Sequence, residues 1–341
     1  MKNPTLRDIA DACSISIATA SRAMSGRPYV EEELRKTVTA CAARLGYNPN
    51  KLVGSLMAHV RRSTTHQFLG NVAIVHVPST HETVIGPQER RIIDSALART
   101  TLLGFSAEVF ELRLGPRGKK ALERVLLARG ISGVIVVFPE PSNALETFAW
   151  DHFSAVALDL SRQNPPFNTV CHDHYASLTS ALQQLRAAGY RKAGLFIEHF
   201  KDARTNFKWS AALQSFQLRH GGIGRVPVLM PPAMRETEFM PWFRKHRPDV
   251  LLGHFDECIE WLGHLKLCVP DDVGFFNLNW QGRRVDSAGL DPQLELQGAA
   301  AADVLIAQIQ RGERGMPSVP RQILVPGRVV SGPTVRPLPI A

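Results

Sequence analysis

From residue 70 onward, short apolar runs alternate with longer stretches of helical spacing, and this alternation limits the chain to very few folds. The runs fall at 70–77, 106–112, 131–138, 154–160, 192–197, 226–230, 249–255 and 272–278. Helical patterns cover 87–103, 118–129, 142–150, 173–188, 204–220, 236–246, 257–266 and 294–311. Strands joined by helices pair in parallel through right-handed crossovers, with helices covering both sheet faces. About 270 residues of this pattern exceed one small open sheet, so two lobes are expected.

The first 62 residues read differently. They hold ten basic residues against five acidic ones, which places +5 of the chain's net +9 in less than a fifth of its length. Such a concentration calls for an anionic partner, nucleic acid first. Leu6, Ile9, Ala10 and Cys13 fall at i, i+3, i+4 and i+7, one face of a short helix. Thr5 with Asp8 three residues on resembles a capping box. Ser14, Ile15 and Ser16 interrupt, and Ser16 is placed to cap a second helix over 17–24 that buries Ala20, Ala23 and Met24 and stops at Gly26. A third helix over 31–45 opens with Glu31, Glu32 and Glu33, which suit the positive end of its dipole, and closes at Gly46. Two short helices joined by a tight turn, with a third completing a small core, form a helix-turn-helix.

The same residues carry a resemblance. Thr5 to Ala10, Ser16 to Gly26 and Leu45 to Asn50 run without gaps along the head of the LacI/GalR family of bacterial transcriptional regulators. The resemblance implies that helix 17–24 enters the DNA major groove with Ile17, Ala18 and Arg22 nearest the bases. Arg22 alone has the chemistry for bidentate readout of guanine. Ser16, Thr19 and Ser21 suit phosphate oxygens, and Thr5, Leu6 and Asn50 join them in the implied DNA-contacting set. Ala20 stands where the family commonly has valine, which shrinks one core contact. Residues 50–58 resemble the family's hinge helix, whose Leu56 would wedge into the minor groove and kink the duplex. Gly54 and a length of nine residues keep such a helix from holding alone. A polar linker follows. The expected organisation is a head over 1–49, hinge and linker over 50–68, and an effector-binding and dimerising body over 69–341.

The body also carries family markers: Gly189-Tyr190 with Leu185 before them, Pro270 to Phe275, and Gly289 to Asp291. These resemble the two-lobed periplasmic-binding-protein-like domain, so the expected fold class is α/β with parallel sheets behind an all-α head. In that fold the chain crosses between lobes three times. Lobe one is expected over about 70–165 and 288–315, and lobe two over 166–287 and 316–335. A ligand would bind between them at the carboxyl ends of the strands. That rule selects His76, Ser79, Thr80, Phe138, Glu140 and Asp159 on lobe one, and Arg204, Phe207, Asp256, Asn279 and Trp280 on lobe two. Arg204 matches the family's effector-contacting arginine. Asn279 departs from an aspartate common there, and Trp280 could stack on a sugar or planar ring.

Other chemistry lacks support. His172-Asp173-His174 hints at a metal, but Asp173 sits where a helix cap belongs and no third ligand is evident. Neither a phosphate-cradling glycine loop nor a nucleophile elbow occurs, and Glu140 has no partner for acid–base work. No cofactor is expected and no catalysis. Five scattered cysteines without a Cys-x-x-Cys pair argue against disulfides or zinc. No run reaches the roughly 20 apolar residues of a membrane helix, and the polar N-terminus lacks the apolar core of a secretory signal, so the cytoplasm is expected. The reading is a homodimeric repressor that binds a pseudo-palindromic operator and responds to a small molecule, a sugar or sugar acid. The alternative is a solute sensor of the same two-lobed fold without repressor action.

Overall fold

The structure, a computed structural model, describes residues 6–24, 31–45, 69–78, 85–113, 115–137, 145, 147–158, 166–220, 225–280 and 286–338. Within the first helices this excludes the side chains of Leu6, Arg7, Ile17, Ala18, Ser21 and Arg22. The chain separates into two compact units that divide between Gln67 and Phe68.

The first unit has three helices, α1 (Leu6–Ala12), α2 (Ile17–Met24) and α3 (Glu32–Arg44). Ser14 takes a left-handed conformation at φ 54°, which turns the chain sharply between α1 and α2. Ile15 then donates its N–H to the Ala10 carbonyl at 3.0 Å. Ile9, Ala10, Ala20, Ala23, Val38 and Ala42 form the buried core, with Cys13, Ile15, Met24 and Leu34 packed around it. Ala20 is fully buried, so the small residue at this position leaves no exposed gap.

The second unit holds two sheets. β1 (Asn71–His76), β2 (Ser106–Glu111), β3 (Ile131–Val137), β4 (Ser154–Leu158), β5 (Asn168–Asp173) and β10 (Gln322–Pro326) make the first, in order β10-β5-β4-β3-β1-β2 and parallel throughout. α4 (Pro87–Leu102) and α11 (Leu294–Arg311) cover one face, α5 (Pro116–Ala128) the other. Val72 and Ile74 of β1 face the first layer, Ala73 and Val75 the second. Burial on both faces explains why β1 and β3 read as unbroken apolar runs. Arg91–Glu295 and Arg99–Asp303 ion pairs, at 2.6 and 2.7 Å, tie α4 to α11.

The second sheet is β11 (Arg328–Val330), β9 (Ala288–Asp291), β8 (Gly274–Asn277), β7 (Val250–Gly253) and β6 (Ala193–Phe196), in that order. Only the β11–β9 pair is antiparallel. α6 (His174–Ala187), α7 (His199–Arg204), α8 (Lys208–Arg219), α9 (Glu236–His246) and α10 (Cys258–Gly263) accompany it.

Several boundaries differ from the sequence expectation. Strands 168–173 and 288–291 were not anticipated, and each lies in the sheet opposite to its expected lobe: β5 in the first, β9 in the second. The 316–335 segment is divided, β10 pairing with β5 and β11 with β9. The run at 226–230 makes a single bridge, Leu229 to Phe196, because Pro227 and Pro231 have no N–H to extend a ladder. Of the helix expected over 142–150, residues 145 and 147–150 are described, and they show no helix of that length, only a short turn at Trp150–His152.

The chain passes between sheets three times, after Asp173, after Asp291 and at Gly327. The three passages touch. A Cβ built on Gly327 would lie 2.7 Å from His172 Nε2 and 3.2 Å from the Asp291 carbonyl oxygen. Gly327 also donates its N–H to Ser177 Oγ at 2.7 Å, and the same hydroxyl bonds His172 Nε2 at 2.9 Å.

Candidate functional site

In the head, the Ser16 hydroxyl accepts the Thr19 N–H at 3.0 Å and lies 2.8 Å from the Thr19 hydroxyl. This is the side-chain cap that α2 needs, since the first N–H groups of a helix have no partner within it. Ser16 is exposed and Thr19 partly so. Ile17, Ala18, Ser21 and Arg22 belong to α2. Thr5, Asn50 and Leu56 lie outside the described residues, as do Ser79, Thr80, Phe138, Glu140 and Asp159.

In the body, the carboxyl ends of both sheets converge on a cavity of about 340 Å³. Leu158 closes β4, His172 and His174 flank the end of β5, His254 follows β7, and Leu278 and Asn279 follow β8. Gln88 and Ile92 come from α4, Lys201 and Arg204 from α7, Trp209 from α8, and Pro292, Leu294 and Gln297 from the second passage between sheets. Gln88 Nε2 donates to Asn279 Oδ1 at 3.2 Å, spanning the two lobes at this cavity.

Three imidazoles surround the Trp209 indole. The ring centroids of His174, His172 and His254 lie 4.9, 5.8 and 6.1 Å from it, all steeply inclined. Burial drives His174 down to about 3, with the charges of Lys208, His254 and Arg204 adding and a hydrogen bond to the His172 backbone opposing. His254 is likewise driven to about 3 by burial, with Lys201 adding. Both are neutral at physiological pH, and the Nδ1 of each is buried without a partner among the described residues. A buried polar atom left so costs about 1–3 kcal/mol.

α8 is positioned from below by Asp202, fully buried, whose Oδ1 accepts the Trp209 N–H at 3.2 Å. Phe207 reaches this junction in a left-handed conformation at φ 59° and donates its N–H to the Asp202 carbonyl. Asp173 Oδ1 accepts the Ala176 N–H at 3.0 Å and caps α6, as its place before the helix predicts. His76 is buried, with Nε2 3.5 Å from Glu89 Oε2. The hydrogen bond with His76 holds the Glu89 carboxyl below its usual range, aided by the Gly86 N–H and the charges of His76 and Arg204. Among the described residues, no three His, Cys, Asp or Glu side chains are grouped to hold a metal ion.

Comparison with known proteins gives a match over residues 5–50 to the bacterial regulatory proteins of the lacI family. Residues 5–50 are a lacI-family head. The chain is 28% identical to the lactose operon repressor of Escherichia coli (strain K12) over 199 residues, 57% of this chain and 51% of that protein. It is 24% identical to the HTH-type transcriptional regulator KdgR of Bacillus subtilis (strain 168) over 285 residues, 79% of each. Among solved structures, a lac repressor dimer bound to operator and the anti-inducer ONPF aligns with a TM-score of 0.57 at 20% identity. That alignment covers 98% of this chain and 99% of the repressor's, so the lacI-family head and the two-sheet body share that protein's fold.

Of the cavity residues expected behind the lacI-family head, Arg204 and Asn279 line the space, both from the lobe of the second sheet. Asp256 does not line it. β7 ends at Gly253, so His254 takes the place that the strand-end rule had given to Asp256. Phe207 is 43% exposed and packs on His199 outside the lining, with ring centroids 5.7 Å apart. Trp280 packs on Gly289 of β9, where an added Cβ would come within 2.8 Å of its own. His76 lies behind Glu89 rather than in the lining. Sequence reasoning missed Gln88, His172, His174, Lys201, Thr205, Trp209 and His254 as lining residues. The visible signal was the His172-Asp173-His174 motif, which marks the end of a strand that was itself not foreseen.

Proposed function

We propose that this chain is a cytoplasmic, homodimeric transcriptional repressor that binds a pseudo-palindromic operator through its head. A small molecule, a carbohydrate or a derivative, occupies the cavity between the lobes and sets operator affinity. The observation that carries this reading is the family match of the head over residues 5–50, with α2 capped at Ser16. The lactose operon repressor and the operator-bound dimer named above support it. The body acts as a sensor rather than as an enzyme. Dimerisation follows from two-fold operator logic, in which paired heads read two half-sites. Ligand in the cavity shifts the population of lobe arrangements and so decides whether two 50–58 segments can pair over the operator centre.

Selecting bound sequences from a random duplex pool tests the reading directly. A pseudo-palindrome is expected. Arg22→Ala should relax choice at one position per half-site at a cost of about 1–3 kcal/mol. Leu56→Ala should weaken specific binding more than non-specific binding. Specific binding that survives both substitutions, or a monomer that still reads the operator, overturns the proposal.

A further inference from the structure

The spacing of the five cysteines argues against a disulfide framework, yet the fold brings two of them together in the head. Cys13 follows α1 and donates its N–H to the Ile9 carbonyl at 3.0 Å, which extends that helix by one residue. Cys41 lies in α3, where its carbonyl accepts the Leu45 N–H at 3.0 Å. Ala10, one turn before Cys13, and Ala42, next to Cys41, are both buried in the head core, and side chains this small let the two helices approach closely. The Cys13 and Cys41 side chains hydrogen-bond to each other. Arg44, almost one turn further along α3, donates from Nη2 to Cys41 Sγ at 3.9 Å. Cys13 is partly exposed and Cys41 buried, so one sulfur is within reach of an oxidant and a second waits behind it. Burial first, and then the bond with Cys41, holds the Cys13 thiol above its usual range against the charge of Arg44. The other three cysteines belong to the second unit: Cys171 in β5, Cys258 in α10 and Cys268 beyond it.

We propose that Cys13 and Cys41 are a modification site for peroxide, which closes them into a reversible disulfide stapling α1 to α3. The Cys13 thiolate attacks one peroxide oxygen, the O–O bond breaks, hydroxide leaves and Cys13 becomes a sulfenic acid. The Cys41 thiolate then attacks the Cys13 sulfur, the S–O bond breaks as the S–S bond forms, and a second hydroxide leaves. Each hydroxide takes up one of the thiol protons, so two thiols lose two electrons and two protons while hydrogen peroxide becomes two waters. With its proton held firmly, Cys13 is a slow nucleophile at neutral pH, and the pair answers sustained rather than trace oxidant. The loop that the bond closes, 14–40, contains the whole of α2. A cross-link restricts the unfolded chain, and the gain counts most in a domain too small for a large core. The staple therefore stabilises the head and leaves the body as it is.

The test treats the full chain with hydrogen peroxide, alkylates the remaining thiols and digests it without reductant. Mass spectrometry should find the Cys13 and Cys41 peptides linked within one chain, two hydrogens lighter than their sum, and dithiothreitol should separate them. Hydrogen exchange on the same oxidised protein should show amides of α2 and α3 slowed at least tenfold relative to the reduced chain, with those of β1 and β3 unchanged. Cys13→Ala should abolish both the link and the slowing. Because the linked peptides are sought in the unsubstituted chain, the result stands even where the variant folds poorly. Cys13 and Cys41 both still open to alkylation once the exposed Cys268 is oxidised, or Cys13 joined to a cysteine of a second chain, overturns the proposal. So does a link that leaves exchange in the head unchanged or faster.

Discussion

The head and the body build their interiors from different material. Four of the six residues in the head core are alanine, with one isoleucine and one valine, and this lets three short helices approach closely over a small area. The body packs Phe, Trp, Tyr and Leu side chains between helices and both faces of two sheets. Small domains bury a smaller share of their surface and are correspondingly marginal. The head therefore depends on each contact it has, whereas the body has interior to spare for a cavity whose wall includes two imidazole nitrogens without a partner among the described residues. The comparison teaches where each unit can tolerate function: the head on its outside, the body in its interior.

Substitution in the head core should have the largest effect. Ile9 is fully buried, and Ile9→Ala should cost about 2–5 kcal/mol, a large part of the about 5–15 kcal/mol that holds a typical domain. Calorimetry should show the head transition lost and the body transition unmoved, with operator binding abolished. A single transition displaced as a whole would break the comparison.

Acid should act on the body alone. The folded-state values of His174 and His254 lie below their unfolded ones, so keeping these groups neutral is fully stabilising above about pH 6.5. That stability is lost as pH falls toward about 3, at about 1.4 kcal/mol per unit for each group. By pH 5 each contributes about 2 kcal/mol of loss. The described residues of the head contain no histidine. Urea titrations of the body signal at pH 7 and pH 5 should show a difference that shrinks in His174→Asn; the same slope in both variants would contradict it.

The smallest effect sharpens the comparison most, because the lesion is the same in both units. Ser16→Ala and Asp173→Ala each remove a side-chain cap, from α2 and α6 respectively, worth about 1 kcal/mol. The head should show it as a visible drop in melting temperature and the larger body as a minor one. Equal shifts would mean that the two units melt together.

What the sequence revealed follows the same division. α2 and α3 were legible to within a residue because their caps and apolar spacing are local. β1 and β3 were legible as apolar runs buried on both faces. β5, with Asn168, Thr169, His172 and Asp173 among its six residues, offers no such run, and its place is fixed by pairing with β4 and with the distant β10. Missing β5 concealed the cavity's histidines, whose meeting with Trp209 and His254 depends on tertiary contact alone. Asn279 was legible because it directly follows β8, whose end could be read, whereas Arg204 was singled out by its match to the family's effector-contacting arginine at an expected helix start and instead closes α7, a helix that was not foreseen. Phe207 and Trp280 were placed near the right ends, but backbone conformation and packing on β9 turn them elsewhere.

The contact at Gly327 bears on how the lobes can move. One connecting strand would leave them three rotations. Three connections packed so closely at one residue that a Cβ built on Gly327 would overlap His172 Nε2 at 2.7 Å oppose sliding and leave bending about a line through that point. His172 belongs both to this fulcrum and to the cavity wall. A molecule seated in the cavity would press directly beside this point, and its binding energy would be expressed as an angle between the lobes.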